Sequence, residues 1–172
     1  MKVIMKRILA LCTVLLLIFA LVACDTKDDE GDNGGIVNGG AGSGYSMTYN
    51  GQKIEIGADA KDLMPKLGAY TSVDGEACGT DEKDVIYTLS GIEIETHVNK
   101  DGEIVRKIEI LNDSQKTVKG ITIGSTRDEV IAAYGKNYTE GTDAIRYESG
   151  NTAIEFYFGA SGNVSNIYIK KK

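Results

Sequence analysis

One stretch of this chain is written twice. KIEIGADAKDLMPKLG (53–68) aligns without gaps on GITIGSTRDEVIAAYG (120–135), so that Ile54, Ile56, Gly57 and Gly68 fall on Ile121, Ile123, Gly124 and Gly135. Further on, VRKIEI (105–110) falls on VSNIYI (164–169). Repetition at this length constrains a fold more than any single motif, because the same small unit has to be accommodated twice in one core.

Each copy reads as a short opening strand, a helix and then three strands. In the second copy, Thr126 followed by Glu129 is a capping-box pattern, and Gly135 supplies the stop. Val130, Ala133 and Tyr134 share one helical face. In the first copy Asp59 caps, and Leu63, Met64 and Leu67 form the apolar side. Pro65 lies inside that helix, where it costs about 3 kcal/mol, so a short or kinked helix is expected.

The strands alternate with period two: Val85, Tyr87 and Leu89, then Ile92, Ile94, Thr96 and Val98, and in the second copy Ile145 and Tyr147, then Ile154, Phe156 and Phe158. Glu93, Glu95, His97, Glu155 and Tyr157 take the opposite parity, which predicts a sheet with one packed and one wet face. NKDG (99–102) and GASG (159–162) read as hairpin turns. In VRKIEI and VSNIYI the first two apolar residues are three apart, which breaks the alternation. An extra residue near Ser165–Asn166 would return both to the core side as a β-bulge, since Asn163 offers no regular alternative. One near Arg106–Lys107 would do the same, although Ile104 with Ile108 is a regular alternative there. The expected fold class is α+β: a tandem repeat of a short helix plus an antiparallel three-stranded meander, sheets packed against helices. The first repeat spans 45–112 and the second 113–172.

The N-terminal part has a different character. Lys2, Lys6 and Arg7 precede a run from Ile8 to Ala23 that is apolar apart from Cys12 and Thr13. As a helix that run is about 24 Å long, short of the roughly 30 Å hydrocarbon core, so a secretory signal is the better reading than a permanent span. Leu21-Val22-Ala23-Cys24 resembles the lipobox of bacterial lipoproteins. The resemblance implies a signal peptide over 1–23, cleavage before Cys24 and diacylation of its thiol. Two acyl chains anchor stably where one binds only reversibly. Residues 24–44 then form the lipidated cysteine and an acidic, Gly-rich tether whose composition offers no core, so disorder is expected. The expected location is the extracytoplasmic face of a bacterial cell membrane.

The repeated pattern Gly-x-Thr-x-x-x-Val-x-x-x-x-Gly at 124–135 resembles small outer-membrane assembly lipoproteins of the SmpA/OmlA type. The tandem arrangement is similar to secreted β-lactamase inhibitor proteins, in which two α/β repeats present a concave sheet. DVIYTLSGIEIET together with NDSQKTVKGITIGSTRDEVIAAYG resembles uncharacterised lipoproteins of clostridial-type bacteria. The first two resemblances imply a fold and suggest a binding role, and the third brings no activity with it.

Chemistry-bearing residues are scarce. The whole chain carries a net charge of −6, and no basic patch or stacking motif points to nucleic acid. His97 is the only histidine. It shares a strand face with Glu93 and Glu95, but residues two apart on a strand are about 6.8 Å apart, too spread for tight zinc coordination without a bend. A solvated polar face is the better reading, and no metal or cofactor is expected. Cys78 sits in the acidic loop DGEACGTDEKD (74–84), whose carboxylates raise a thiol pKa rather than activate it. That loop also lacks the ordered ligand series of a calcium site. Tyr157 and Tyr168 fall on the outward parity of neighbouring strands, where exposed tyrosines serve as binding anchors.

The expectation is therefore a non-enzymatic, membrane-anchored surface lipoprotein. It would contact the membrane through acyl chains on Cys24 and an unidentified protein or envelope component through its sheet. The alternative is a thiol-based enzyme or redox sensor using Cys78.

Overall fold

Asn50-Gly51 sets the first turn. Both residues have positive φ (49° and 75°), as a two-residue hairpin loop requires. The turn joins β1 (Ser46–Tyr49) to β2 (Gln52–Glu55) in a separate two-stranded sheet. The computed structural model describes residues 44–75 and 82–172. The signal segment, Cys24 with the tether as far as residue 43, and Cys78 lie outside the described residues.

The remaining elements are α1 (Ala60–Leu67), β3 (Thr71–Asp74), β4 (Lys83–Leu89), β5 (Ile92–Asn99), β6 (Gly102–Ile110), α2 (Arg127–Tyr134), β7 (Thr139–Glu140), β8 (Ala144–Ser149), β9 (Thr152–Phe158) and β10 (Val164–Lys171). Strands β3 to β10 form one antiparallel eight-stranded sheet in the order β3-β4-β5-β6-β10-β9-β8-β7. The expected fold class is thereby corrected. The described residues are mostly β, with one continuous sheet plus a small hairpin, and are not a tandem repeat of helix-plus-three-stranded-meander units. The sheet runs unbroken across the expected repeat boundary at 112/113, because β6 and β10 pair through Ile110↔Ile167 and Ile108↔Ile169.

Two further differences have local causes. Strands β3 and β7 add to the two edges of the sheet, yet every residue in them is exposed, so no alternation marks them. The expected opening strand at 120–123 is not a strand. Ile121 is buried, but its backbone closes a local turn, with Thr117 N–H donating to the Ile121 carbonyl at 2.7 Å.

The helices stop and start where their ends dictate. Asp59 accepts from the Lys61 and Asp62 amides, and Gly68 closes α1 at φ 103° after only eight residues, Pro65 included. Thr126 and Glu129 form a reciprocal capping box at α2, and the Gly135 amide donates back to Ile131. Leu63, Met64, Leu67 and Val130 enter one core with the hairpin's Met47 and Ile54 and the inward residues of the sheet.

The alternation assigns the packed face correctly. Ile92, Ile94, Ile145, Ile154 and Phe156 are fully buried, Val85, Leu89 and Tyr147 nearly so. Tyr87 is half-buried, and its hydroxyl donates to the inward-facing, buried Glu103 at 2.8 Å. Both bulges are present. Val164 pairs with Phe158 and Asn166 with Tyr157, leaving Ser165 extra. Val105 pairs with Thr96 and Lys107 with Glu95, leaving Arg106 extra. As a result Val105 and Ile108, like Val164 and Ile167, reach the core although three apart. The bulges also occupy matching surroundings. Gly57 N–H donates to Val105 O and Gly124 N–H to Val164 O, each at 2.8 Å.

Candidate functional site

The two helices and the hairpin contribute to the core beneath one face of the sheet, so the opposite parity of each central strand builds a polar outer surface. One row across it, read from the strand registers, is Glu93, Glu109, Tyr168, Glu155 and Arg146, on β5, β6, β10, β9 and β8. The next row is Glu95, Lys107, Lys170, Ala153 and Glu148. On the other side of Tyr168, Asn166 stands opposite Tyr157.

Tyr157 and Tyr168 therefore come together. Their rings meet edge to face with centroids 5.4 Å apart, and Tyr157 is 37% exposed. Lys107 Nζ lies 5.9 Å from the Tyr168 centroid. Partial burial, and then the neighbouring Glu109 carboxylate, hold the Tyr168 hydroxyl's pKa above its ordinary value. A shallow depression of about 390 Å³ opens here, lined by both tyrosines, Lys107, Lys170, Glu109, Glu155 and Asn166.

Glu155 organises the charges around the tyrosines. Its carboxylate meets Arg146 Nη1 at 2.6 Å and Lys170 Nζ at 2.9 Å, and accepts from Tyr157 Oη at 3.3 Å. Burial pushes its pKa upward, but the bonds from Lys170 and Arg146 outweigh it and hold the carboxyl below the ordinary carboxylate range. A depressed folded-state pKa means stability that is present above the unfolded value and lost as pH falls through the folded one. The melting temperature is accordingly expected to fall with acidification below about pH 4. Glu155→Gln should be less stable at pH 7 and lose part of that acid dependence. An unchanged acid limb would show that Glu155 is not a contributor.

The other candidate residues lie elsewhere. His97 Nδ1 is 2.8 Å from Asp84 Oδ1, and Nε2 is 3.7 Å from Glu82 Oε2, towards the β3–β4 side. Glu95 is tied to Lys107 at 2.6 Å, and Glu93 accepts from Thr88 Oγ1 at 3.0 Å. The three possible ligands of that strand are thus separately engaged. Among the described residues no group of three His, Cys, Asp or Glu side chains is disposed to hold a metal. Glu109, Asn166 and Lys170 join the site beside the expected tyrosines; the parity that Asn166 and Lys170 share with Tyr168 on β10 is the sequence signal for the same face.

Fold and site together define a class no narrower than a one-sided antiparallel sheet with a tyrosine pair on its open face. Among solved structures, the chain is similar to a DUF4309 family protein, YjgB, from Bacillus subtilis. The likeness covers 74% of this chain and 88% of that one at 17% identity, with a TM-score of 0.43. No protein-family model and no curated protein sequence matches the chain.

Proposed function

We propose that this protein is a lipoprotein held on the extracytoplasmic face of a bacterial cell membrane by acyl chains on Cys24. It binds a protein or envelope component through the open sheet face and catalyses no reaction. The anchor rests on the order of basic start, apolar run, small residue and cysteine at 1–24. The binding role rests on one observation, the edge-to-face pair of exposed Tyr157 and half-buried Tyr168 in a depression between paired charges. Tyrosine supplies a large amphipathic contact area with little side-chain freedom to lose, which is why it is enriched among binding anchors.

Both halves can be tested separately. Cys24→Ala is expected to release the protein from the membrane fraction, and mass spectrometry of the wild-type N-terminus should find a diacylated Cys24. An unmodified cysteine would remove the anchor. Tyr157→Ala with Tyr168→Ala is expected to cost only about 1 kcal/mol of stability, the scale of one aromatic pair. Capture of the envelope partner by crosslinking in intact cells should be lost. Unfolding of the double variant would instead make the tyrosines structural.

A further inference from the structure

Glu93 and Glu109 stand directly opposite each other across β5 and β6, on the same outer face as the tyrosines. Directly opposed side chains have Cβ atoms about 5 Å apart, and like charges in that position destabilise a sheet. The adjacent row contains a second like-charged pair, Lys107 opposite Lys170, and there the conflict is resolved. Lys107 meets Glu95 at 2.6 Å and Lys170 meets Glu155 at 2.9 Å. The glutamate pair has no such relief. Glu93 accepts from the Thr88 hydroxyl, Glu109 from the Asn166 amide at 3.3 Å and from the neighbouring Tyr168 hydroxyl, and neither meets a lysine or arginine among the described residues.

We infer that the stripe formed by Glu93, Glu109, Tyr168 and Tyr157 receives a Lys- or Arg-bearing extended segment of a protein partner. The inference rests on the reading of this face as a binding surface and names the chemistry of what binds. Charge complementarity carries it. A guanidinium or ammonium placed over the opposed carboxylates cancels their repulsion, and the adjacent tyrosine rings offer it cation–π contact. The partner's stem methylenes cover the ring surface that the edge-to-face pair leaves open. The chain's net charge of −6 and pI of about 4.9 draw basic partners towards it at long range. A neutral glycan's hydroxyls can donate to the two carboxylates but bring no positive charge to cancel their mutual repulsion.

The test uses the full chain in a non-ionic detergent, titrated calorimetrically with an alternating Arg/Thr hexapeptide. An alternating Glu/Thr hexapeptide and an oligomer of N-acetylglucosamine are the comparison probes. Glu93→Gln with Glu109→Gln is expected to weaken the Arg/Thr peptide by about tenfold, the scale of a close charge pair at an interface. Asp113→Asn with Asp143→Asn removes two exposed carboxylates elsewhere and should change binding by less than about twofold, as general screening allows. Equal weakening in the two doubles would reduce the effect to net charge and overturn the inference. The glutamine double should also melt no lower than the wild type, and a clear fall would show that the pair is structural. If the glycan binds and the Arg/Thr peptide does not, the cationic partner is wrong while the binding face stands. If the tyrosine double variant still captures its envelope partner in cells, the binding face itself is wrong.

Discussion

Phe156→Ala is expected to lower the stability of the folded protein by about 3–5 kcal/mol, the range found when a buried aromatic ring is removed. Phe156 is 0% exposed in the middle of β9, between Ile145 on β8 and Ile167 on β10. Its ring also meets Tyr134 of α2 at 4.9 Å and Tyr147 of β8 at 6.2 Å between centroids. The alanine variant therefore loses transfer free energy and leaves a cavity whose walls belong to the two neighbouring strands and a helix. Folded proteins hold only about 5–15 kcal/mol in reserve, so this single change removes a large share. Urea unfolding should show a lower midpoint at an unchanged slope. A loss below about 1 kcal/mol, the scale of an ordinary surface change, would show that the ring is not core.

Deleting Ser165 should be nearly as damaging, whereas Ser165→Ala should be almost silent. Ser165 is the unpaired residue of the bulge between Val164 and Asn166, and its side chain is exposed. Without it Val164 cannot face inward while Ile167 and Ile169 keep their partners, because a one-residue slip turns a side chain to the other face. Val164 is 2% exposed, and burial of a valine is worth about 1.5–3 kcal/mol. Its backbone also exchanges two hydrogen bonds, donating to Ser125 O and accepting from Gly124 N–H, both at 2.8 Å. Each contributes about 1 kcal/mol net. The comparison of deletion with substitution isolates the backbone count from the side chain. Equal melting temperatures for the two variants would mean that the sheet does not need the extra residue.

The same bulge shows how far local reasoning reaches. The spacing Val-x-x-Ile demands an extra residue in the second copy, where the register places it at Ser165. In the first copy Ile104 offered a regular alternative, and the structure instead buries Val105, exposes Ile104 and leaves Arg106 extra. Thr126 with Glu129, the parity of β4, β5, β8 and β9, and the outward placement of Tyr157 and Tyr168 were legible for a similar reason. Each is an interaction among residues a few positions apart, or a side chain's response to water on one side and apolar packing on the other. Asn50-Gly51 carries a hairpin signal of the same kind, and it adds β1 to the expected elements.

What the sequence determined by itself, then, is which residues face the core, where the helices are capped and where β10 must bulge. Only the tertiary structure decided that β6 and β10 join, which turns two expected units into one eight-stranded sheet. It also decided that β3 and β7 extend the edges, since strands exposed on both faces leave no periodic trace. Above all it set Glu109 between Glu93 and Tyr168, residues far apart in the chain. Facing is dictated residue by residue through burial. Pairing between distant strands depends on backbone hydrogen bonds, which are nearly the same for every side chain and so leave little mark on the sequence.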